Sequence, residues 1–308
     1  MITDNYTGFH LYFAGGGIKE HLAYMKELGC LRLASWFNEK RIIDKWVEDG
    51  NDIFVDSGAY SAHTKGVLPD VDAYIEYLNA NDAHVIIAAQ LDKIPGVYRQ
   101  TKTTQQLLEA PEISWKNYLY MRPKMKSWKK LLPVYHQGEN LKHLHRLLES
   151  TFEGGEHIPY IGISPANDMH TSQKDAWLTK VFEVIKHSSN PNVKTHGFGI
   201  TSLAVLEKQP LYSADSTRWI LTAAYGQILT KYGNIIVSDT SDFKAVNLVH
   251  IALEIQENIR QMVAKGGFDI EELKVDTLKR GLWNIFYLKQ WSDNYVLKQK
   301  TSNQNKLF

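Results

Sequence analysis

Short apolar runs rich in β-forming residues recur along the chain, with longer amphipathic stretches between them. The runs fall at 9–14, 31–35, 52–56, 84–91, 131–136, 159–163, 194–199 and 211–214, with a ninth at 234–238. The stretches between them repeat every three or four positions, as one face of a helix does. Stretch 41–48 carries Ile42, Ile43, Trp46 and Val47, and stretch 71–78 carries Val71, Tyr74, Ile75 and Leu78. Stretches 141–148 and 177–185 read the same way. Strands alternating with helices predict a parallel sheet of the α/β class. Eight such units before residue 220 predict a closed (β/α)8, TIM-like barrel. A doubly wound open sheet uses the same alternation and stands second. The ninth run would lie outside the barrel.

The pattern changes near residue 243. A long amphipathic helix is expected over 243–264, with Val246, Leu248, Val249, Ile251, Leu253, Ile255 and Ile259 as its apolar positions. A second helical stretch is expected over 268–297, broken at Gly281. The chain therefore divides into a barrel over 1–243 and a C-terminal helical cap over 244–308, packed on the barrel. The polar tail, 298–308, reads as frayed.

Composition narrows the class. The chain has 308 residues, 44% of them hydrophobic and 22% charged, which excludes wholesale disorder and allows a sizeable core. A single cysteine, Cys30, excludes an internal disulfide framework and a zinc site built on several thiolates. Lys and Arg number 35 against 34 Asp and Glu, so a nucleic-acid partner would need locally concentrated positive charge. Residues 1–9 include an acid and no apolar core of leader length, and no apolar run reaches the roughly 18 residues of a membrane helix. A cytoplasmic, membrane-free protein is expected. Gly15-Gly16-Gly17 lacks the Lys-Ser/Thr of a nucleotide-binding loop and reads as a turn.

In such a barrel, polar residues at the C-terminal ends of the strands face the active site. The third run ends in Asp56-Ser57-Gly58-Ala59-Tyr60-Ser61 and the fourth in Gln90-Leu91-Asp92. The fifth ends in Tyr135-His136-Gln137-Gly138-Glu139 and the sixth in Gly162-Ile163-Ser164-Pro165. The seventh carries His196-Gly197-Phe198-Gly199, and the eighth ends in Asp215-Ser216-Thr217-Arg218. One Asp after a strand is more often a helix cap or a turn residue. Three on one rim, with a histidine and glycines that let a flat ligand approach the backbone, point to a site. The glycines read equally as turn or packing residues, and His136 reads equally as a satisfied histidine at the barrel top.

These segments, in this order, resemble the tRNA-guanine transglycosylase superfamily. Residues Asp56 to Ser61 look like its DSGGFQ segment, and Gln90-Leu91-Asp92 like its next acidic strand end. Residues 134–139 are similar to VQGG, 163–166 to IGGL, and 196–199 to MGVG. The family's nucleophilic Asp follows about one βα unit later, which falls on Asp215. The family enzymes acting on tRNA hold a zinc with three cysteines and a histidine, and this chain has only Cys30. Ser164-Pro165 replaces paired glycines, which removes a backbone donor. The Gln of VQGG matches either His136 or Gln137, with His136 favoured because it ends the strand. With its Phe198 to Ser202 run, the chain looks most like the zinc-free 7-deazaguanine DNA transglycosylases, some of them phage-borne.

The resemblance implies a DNA partner, with tRNA as the alternative, a free 7-deazaguanine such as preQ0, and no cofactor or metal. It implies Asp215 as the nucleophile that traps the sugar as an ester, and Asp56 as the acid/base between outgoing and incoming purines. Asp92 would pair with the N1–H and 2-amino edge of guanine, and His136, Gly162 and Ser164 with its carbonyl edge. Ser57, Gly197 and Phe198 complete the expected pocket, with Tyr60 or Phe198 stacking on the base. Phosphates would meet Arg122, Lys124, Lys126, Lys129 and Lys130 with Trp128 interleaved, together with Tyr98, Arg99 and Lys102 after Asp92. A solvated helix face explains the same basic run. Arg218 would contact a phosphate near the sugar or cap the next helix. A barrel hydrolase that uses water as acceptor, and an inactive nucleic-acid-binding barrel, remain open alternatives.

Overall fold

The computed structural model describes residues 8–16, 18–97, 99–166, 170–238 and 246–297. The first elements are β1 (His10–Phe13), α1 (Lys19–Glu27), β2 (Leu31–Ser35), α2 (Trp36–Glu48), β3 (Ile53–Asp56), α3 (Ala59–Thr64), α4 (Val71–Ala80) and β4 (Val85–Ala89). Next come α5 (Thr104–Met121), β5 (Leu131–Leu132), β6 (Val134–His136), α6 (Leu141–Glu149), β7 (Tyr160–Ser164), α7 (Thr171–Lys186), β8 (Lys194–Gly197), α8 (Leu203–Leu206) and β9 (Ser213–Ser216). The last are α9 (Arg218–Ala224), β10 (Gln227–Thr230), β11 (Gly233–Ile236), α10 (Leu253–Lys265), α11 (Ile270–Val275) and α12 (Thr277–Asp293). The fold is α/β, a nearly closed TIM-like barrel of parallel strands, as the alternation predicts. Two compact units make up the chain: one is built on Arg32–Asp215, the other joins the segment ending at Leu31 to Ser216–Tyr295.

In the first unit β2, β3, β4 and β5 pair in parallel in that order, as do β6, β7, β8 and β9. β5 and β6 are two halves of one strand position, split at Pro133, which has no N–H for the ladder. The Leu132 carbonyl accepts from Gln90 N–H at 2.9 Å on one side, and the Pro133 carbonyl accepts from Gly162 N–H at 2.7 Å on the other. The sheet is thereby continuous from β2 to β9 within this unit. Its strands are buried on both faces, which is why β3 and β4 read as near-continuous apolar runs rather than as alternating ones.

Side-chain alternation fixes which face looks inward. The Phe54 ring lies 4.7 Å from the His196 ring and 6.0 Å from the Phe198 ring, so β3 and β8 present these residues to a common interior. Asp56 follows Phe54 by two positions and therefore faces the same way, at the strand's C-terminal end. A Cβ on Gly162 would stand 2.6 Å from Phe198 Cε2 and 2.7 Å from Leu132 Cδ2. The absent side chain at 162 is what lets the phenylalanine ring sit inside. Helix starts are fixed by side-chain caps: Asp70 for α4, Thr103 with Gln106 for α5, and Asn140 for α6.

The second unit packs the antiparallel β10–β11 hairpin and the last helices around Ile228, Ile235, Leu248, Ile259, Leu273 and Trp283. Buried Asn284 satisfies backbone there, accepting from Leu229 N–H at 2.7 Å and donating to the Trp219 carbonyl at 3.0 Å. The ninth expected strand is found as β11, but its partner β10 escaped the hydrophobic pattern. The long helix expected over 243–264 begins only at Leu253. Asn247 accepts from Val249 N–H at 3.1 Å and turns the chain through a short 3-10 segment, Leu248–His250, that buries Leu248. Gly281 does not break the last helical stretch; the break is at Asp276, which caps α12. Gly281 instead admits His21, whose Nε2 lies 2.4 Å from where a Cβ would stand. The expected division at 243/244 lies outside the described residues, as do the tail 298–308, Gly17 and Tyr98. No described helix is long and apolar enough to cross a membrane.

Candidate active site

The candidate site belongs to the first unit and gathers at the C-terminal ends of β3, β4, β6, β8 and β9. Asp56 ends β3, and the chain turns sharply through Gly58 at φ 76°, a left-handed conformation that favours glycine. Gly58 N–H donates to Asp56 Oδ2 at 3.2 Å. Burial pushes the Asp56 carboxyl up to about 7, and the charges of Asp92 and then Asp215 add to the push. Both carboxylates are therefore near enough to act on Asp56 electrostatically. The three acids predicted from separate strand ends occupy one neighbourhood.

Asp92 is fixed by α5. Asn117 Nδ2 donates to the Leu91 carbonyl at 2.8 Å, and Lys93 N–H donates to Ser114 Oγ at 2.8 Å. Asp92 Oδ2 then lies 2.8 Å from His136 Nε2, while His136 Nδ1 lies 3.0 Å from Glu139 Oε1. Burial alone would lower the histidine. The two carboxylates outweigh it, and the pKa rises to about 10. At neutral pH His136 is thus an imidazolium donating from both nitrogens, which orients Asp92. Gln137, the other residue considered for this place, turns its Oε1 to Ala166 N–H at 3.0 Å.

Asp215 is held through one oxygen. Gly199 N–H donates to Oδ1 at 2.9 Å, and His196 Nε2 lies 3.3 Å from the same atom. His196 is fully buried, and burial lowers its pKa against the opposing pull of Asp215. Its Nδ1 lies 2.6 Å from Ser213 Oγ, and that hydroxyl also bonds Tyr160. A neutral imidazole with its proton on Nε2 fits this chain: Tyr160 donates to Ser213, Ser213 to Nδ1, and Nε2–H faces Asp215. No hydrogen bond or ion pair engages Asp215 Oδ2 among the described residues.

The remaining expected pocket residues divide. Phe198 is half-buried against His196, with ring centres 4.5 Å apart, and Tyr60 is 51% exposed at the start of α3. Ser164 ends β7 opposite His136. Ser57 is buried, and its hydroxyl accepts from Ala59 N–H at 3.4 Å within the turn. Gly162 and Gly197 sit inside the sheet, with Gly162 N–H committed to Pro133 and a Cβ on Gly197 only 2.6 Å from Ile200 Cδ1. These three residues build the site rather than line it. Glu139, His196, Ser213 and Tyr160 carry parts of the geometry to which the sequence reading gave no role.

The basic run does not join the site. Segment 122–130 connects the C-terminus of α5 to the N-terminus of β5, which is the opposite end of the strands. Lys124 pairs with Asp72 at 2.8 Å, Lys129 with Glu156 at 2.6 Å and Lys130 with Asp82 at 3.4 Å. Arg122 lies over the Trp128 and Phe152 rings, 4.1 Å and 3.9 Å from their centres. Lys126 is exposed at that end, its N–H bonded to Asn79 Oδ1 at 2.8 Å. Arg99 is exposed in the loop after β4, on the side of the site. Arg218 belongs to the second unit, where its guanidinium bonds Asn234 Oδ1 at 2.5 Å. Among the described residues no group of three or more His, Cys, Asp or Glu is arranged to hold a metal ion. No protein-family model matches the chain, and no curated protein matches it.

Proposed function

We propose that this chain is a base-exchange transglycosylase that replaces guanine in DNA with a 7-deazaguanine, working in the cytoplasm through a covalent ester at Asp215. The observation that carries this reading is the pair Asp56 and Asp215. One carboxyl keeps its proton up to about pH 7, chiefly because it is buried, and the charges of Asp92 and then Asp215 add to the shift. Carboxyl pairs whose environments separate their roles are the working parts of glycosyl chemistry.

In the first half-reaction Asp215 Oδ2 bonds to the sugar C1′ as the C1′–N9 bond breaks. Asp56 gives its proton to the departing guanine. In the second, the incoming 7-deazaguanine returns a proton to Asp56 as its N9 bonds to C1′ and the Asp215 ester breaks. Two displacements retain the configuration at C1′. Asp92 accepts from the donor edge of the purine while His136 holds it in place, and Phe198 or Tyr60 offers a ring to the base. The target nucleotide has to leave the helical stack to reach such a mouth. The strand-end segments that resemble the tRNA-guanine transglycosylase superfamily support the same reading, and the lack of cysteines for its zinc subdomain supports DNA over tRNA.

The test is incubation with DNA, or separately with tRNA, plus preQ0, followed by mass analysis of the nucleosides. A deazaguanosine in DNA is the expected product. Base loss without insertion would instead make the chain an N-glycoside hydrolase, and no change in either polymer would remove the proposal.

A further inference from the structure

Positive charge at the two ends of the first unit is arranged differently. The lysines of segment 122–130 that form ion pairs do so with Asp72, Glu156 and Asp82. The two loops beside the candidate site have no such compensation. Segments 57–69 and 93–103 carry Lys65, Lys93, Arg99 and Lys102 and contain no Asp or Glu. Lys93 and Lys102 form no ion pair among the described residues, whereas Lys65 donates to Asn38 Oδ1 at 2.9 Å.

These cations are positioned rather than scattered. Lys93 directly follows Asp92, and its backbone is tied to Ser114 on α5. The stem of Lys102 packs on Gly96, its Cγ 2.9 Å from where a Cβ would stand. His63, at the end of α3, feels both amines: burial and then the charges of Lys93 and Lys102 lower its pKa. Two lysines from the loop after β4 thus act on a histidine of α3, the helix that also carries exposed Tyr60 three residues earlier.

We propose that Lys93 and Lys102 form a phosphate-binding edge along which a single nucleic-acid strand reaches the mouth, with His63 beside them and Tyr60 as a stacking platform. The inference rests on the nucleic-acid reading above and assigns its grip. Unpaired amines facing a helix that bears an exposed aromatic ring suit a flexible phosphodiester chain, since the amines neutralise phosphates and any base can stack on the ring. It keeps the phosphate contact expected of Lys102 after Asp92, adds Lys93, and drops the basic run, which lies at the strand N-terminal end.

The test is fluorescence anisotropy of a labelled single-stranded deoxyoligonucleotide across a salt series. It compares the unaltered protein with Lys93→Glu/Lys102→Glu and with Lys124→Glu/Lys129→Glu. Losing two phosphate contacts should flatten the log–log salt slope by about 1.4 and weaken low-salt affinity by about tenfold or more. Reversal at Lys124 and Lys129 should change affinity less than about twofold. The neutral pair Lys93→Gln/Lys102→Gln should lie between, and circular dichroism checks that each variant folds. Unchanged affinity and slope for Lys93→Glu/Lys102→Glu would overturn the proposal, as would an equal loss at Lys124 and Lys129. Guanine exchange, followed in the same proteins, separates the two ideas. Binding that depends on Lys93 and Lys102 without exchange in any protein keeps the edge and removes the enzyme. Exchange that survives their reversal at limiting DNA keeps the enzyme and removes the edge.

Discussion

His196 Nε2 and Asp215 Oδ1 lie 3.3 Å apart, and Gly199 N–H reaches that same oxygen at 2.9 Å, so both contacts converge on one side of the carboxylate. The other oxygen is left for chemistry. This makes His196 a positioning residue for the proposed nucleophile. Replacing it with Asn should lower the exchange rate at saturating DNA by about tenfold, because the close contact that steadies that oxygen is lost. The KM for DNA should move little. A rise in KM with an unchanged maximal rate would show that His196 serves binding instead.

The proton on Asp56 sets a pH limit. Its folded pKa of about 7 stands well above that of a free carboxylic acid, so the acid form that the proposed exchange requires is lost as pH rises through about 7. Single-turnover guanine release should fall above that point. Because the charge of Asp92 contributes to the shift, Asp92→Asn should move the inflection to lower pH. An inflection that stays in place in that variant would remove Asp56 as its source.

His136 gives a stability signature of opposite chemical type. Its folded pKa of about 10 exceeds the unfolded value near 6.5, so the folded chain binds the extra proton between those limits. The contribution is fully present below about pH 6.5 and fades as pH rises toward 10. In urea unfolding at several pH values, His136→Gln should flatten that decline. Glu139→Gln should flatten it in part, because it removes one of the two carboxylates. A decline that is identical in all three proteins would rule out the clamp as its cause.

Gly162 tests packing beneath the site. An alanine there would set its Cβ 2.6 Å from Phe198 Cε2, which forces the ring to move. Overpacking of this kind costs about 1–3 kcal/mol. Calorimetry should show a lower melting temperature, and exchange should fall as Phe198 shifts. An unchanged melting temperature would mean the interior has slack at that ring.

Much of this was legible in the chain. Alternating apolar runs and amphipathic stretches gave the α/β barrel, because burial on both faces leaves a parallel strand few polar positions. Asp56, Asp92 and Asp215 could be grouped for a simple reason: each follows a strand, and strand C-termini share one end of a parallel barrel. The same logic, carried through, places segment 122–130 at the other end, because it precedes the strand at 131–136. Glu139 stood three residues after His136, and only the turn at Gly138 lets it fold back to Nδ1. The His196–Ser213–Tyr160 chain spans three strands, and its pairing follows from register, which the sequence pattern does not specify. Gly281 looked like a helix break because glycine is a weak helix former, yet packing against His21 selects it inside α12.

The most direct test is exchange of labelled guanine into DNA by the unaltered chain and by Asp215→Asn, with unfolding temperature measured in parallel. Incorporation by the first, none by the second and matched unfolding temperatures are the expected results. Incorporation at a normal rate by Asp215→Asn would contradict the ester at that carboxylate.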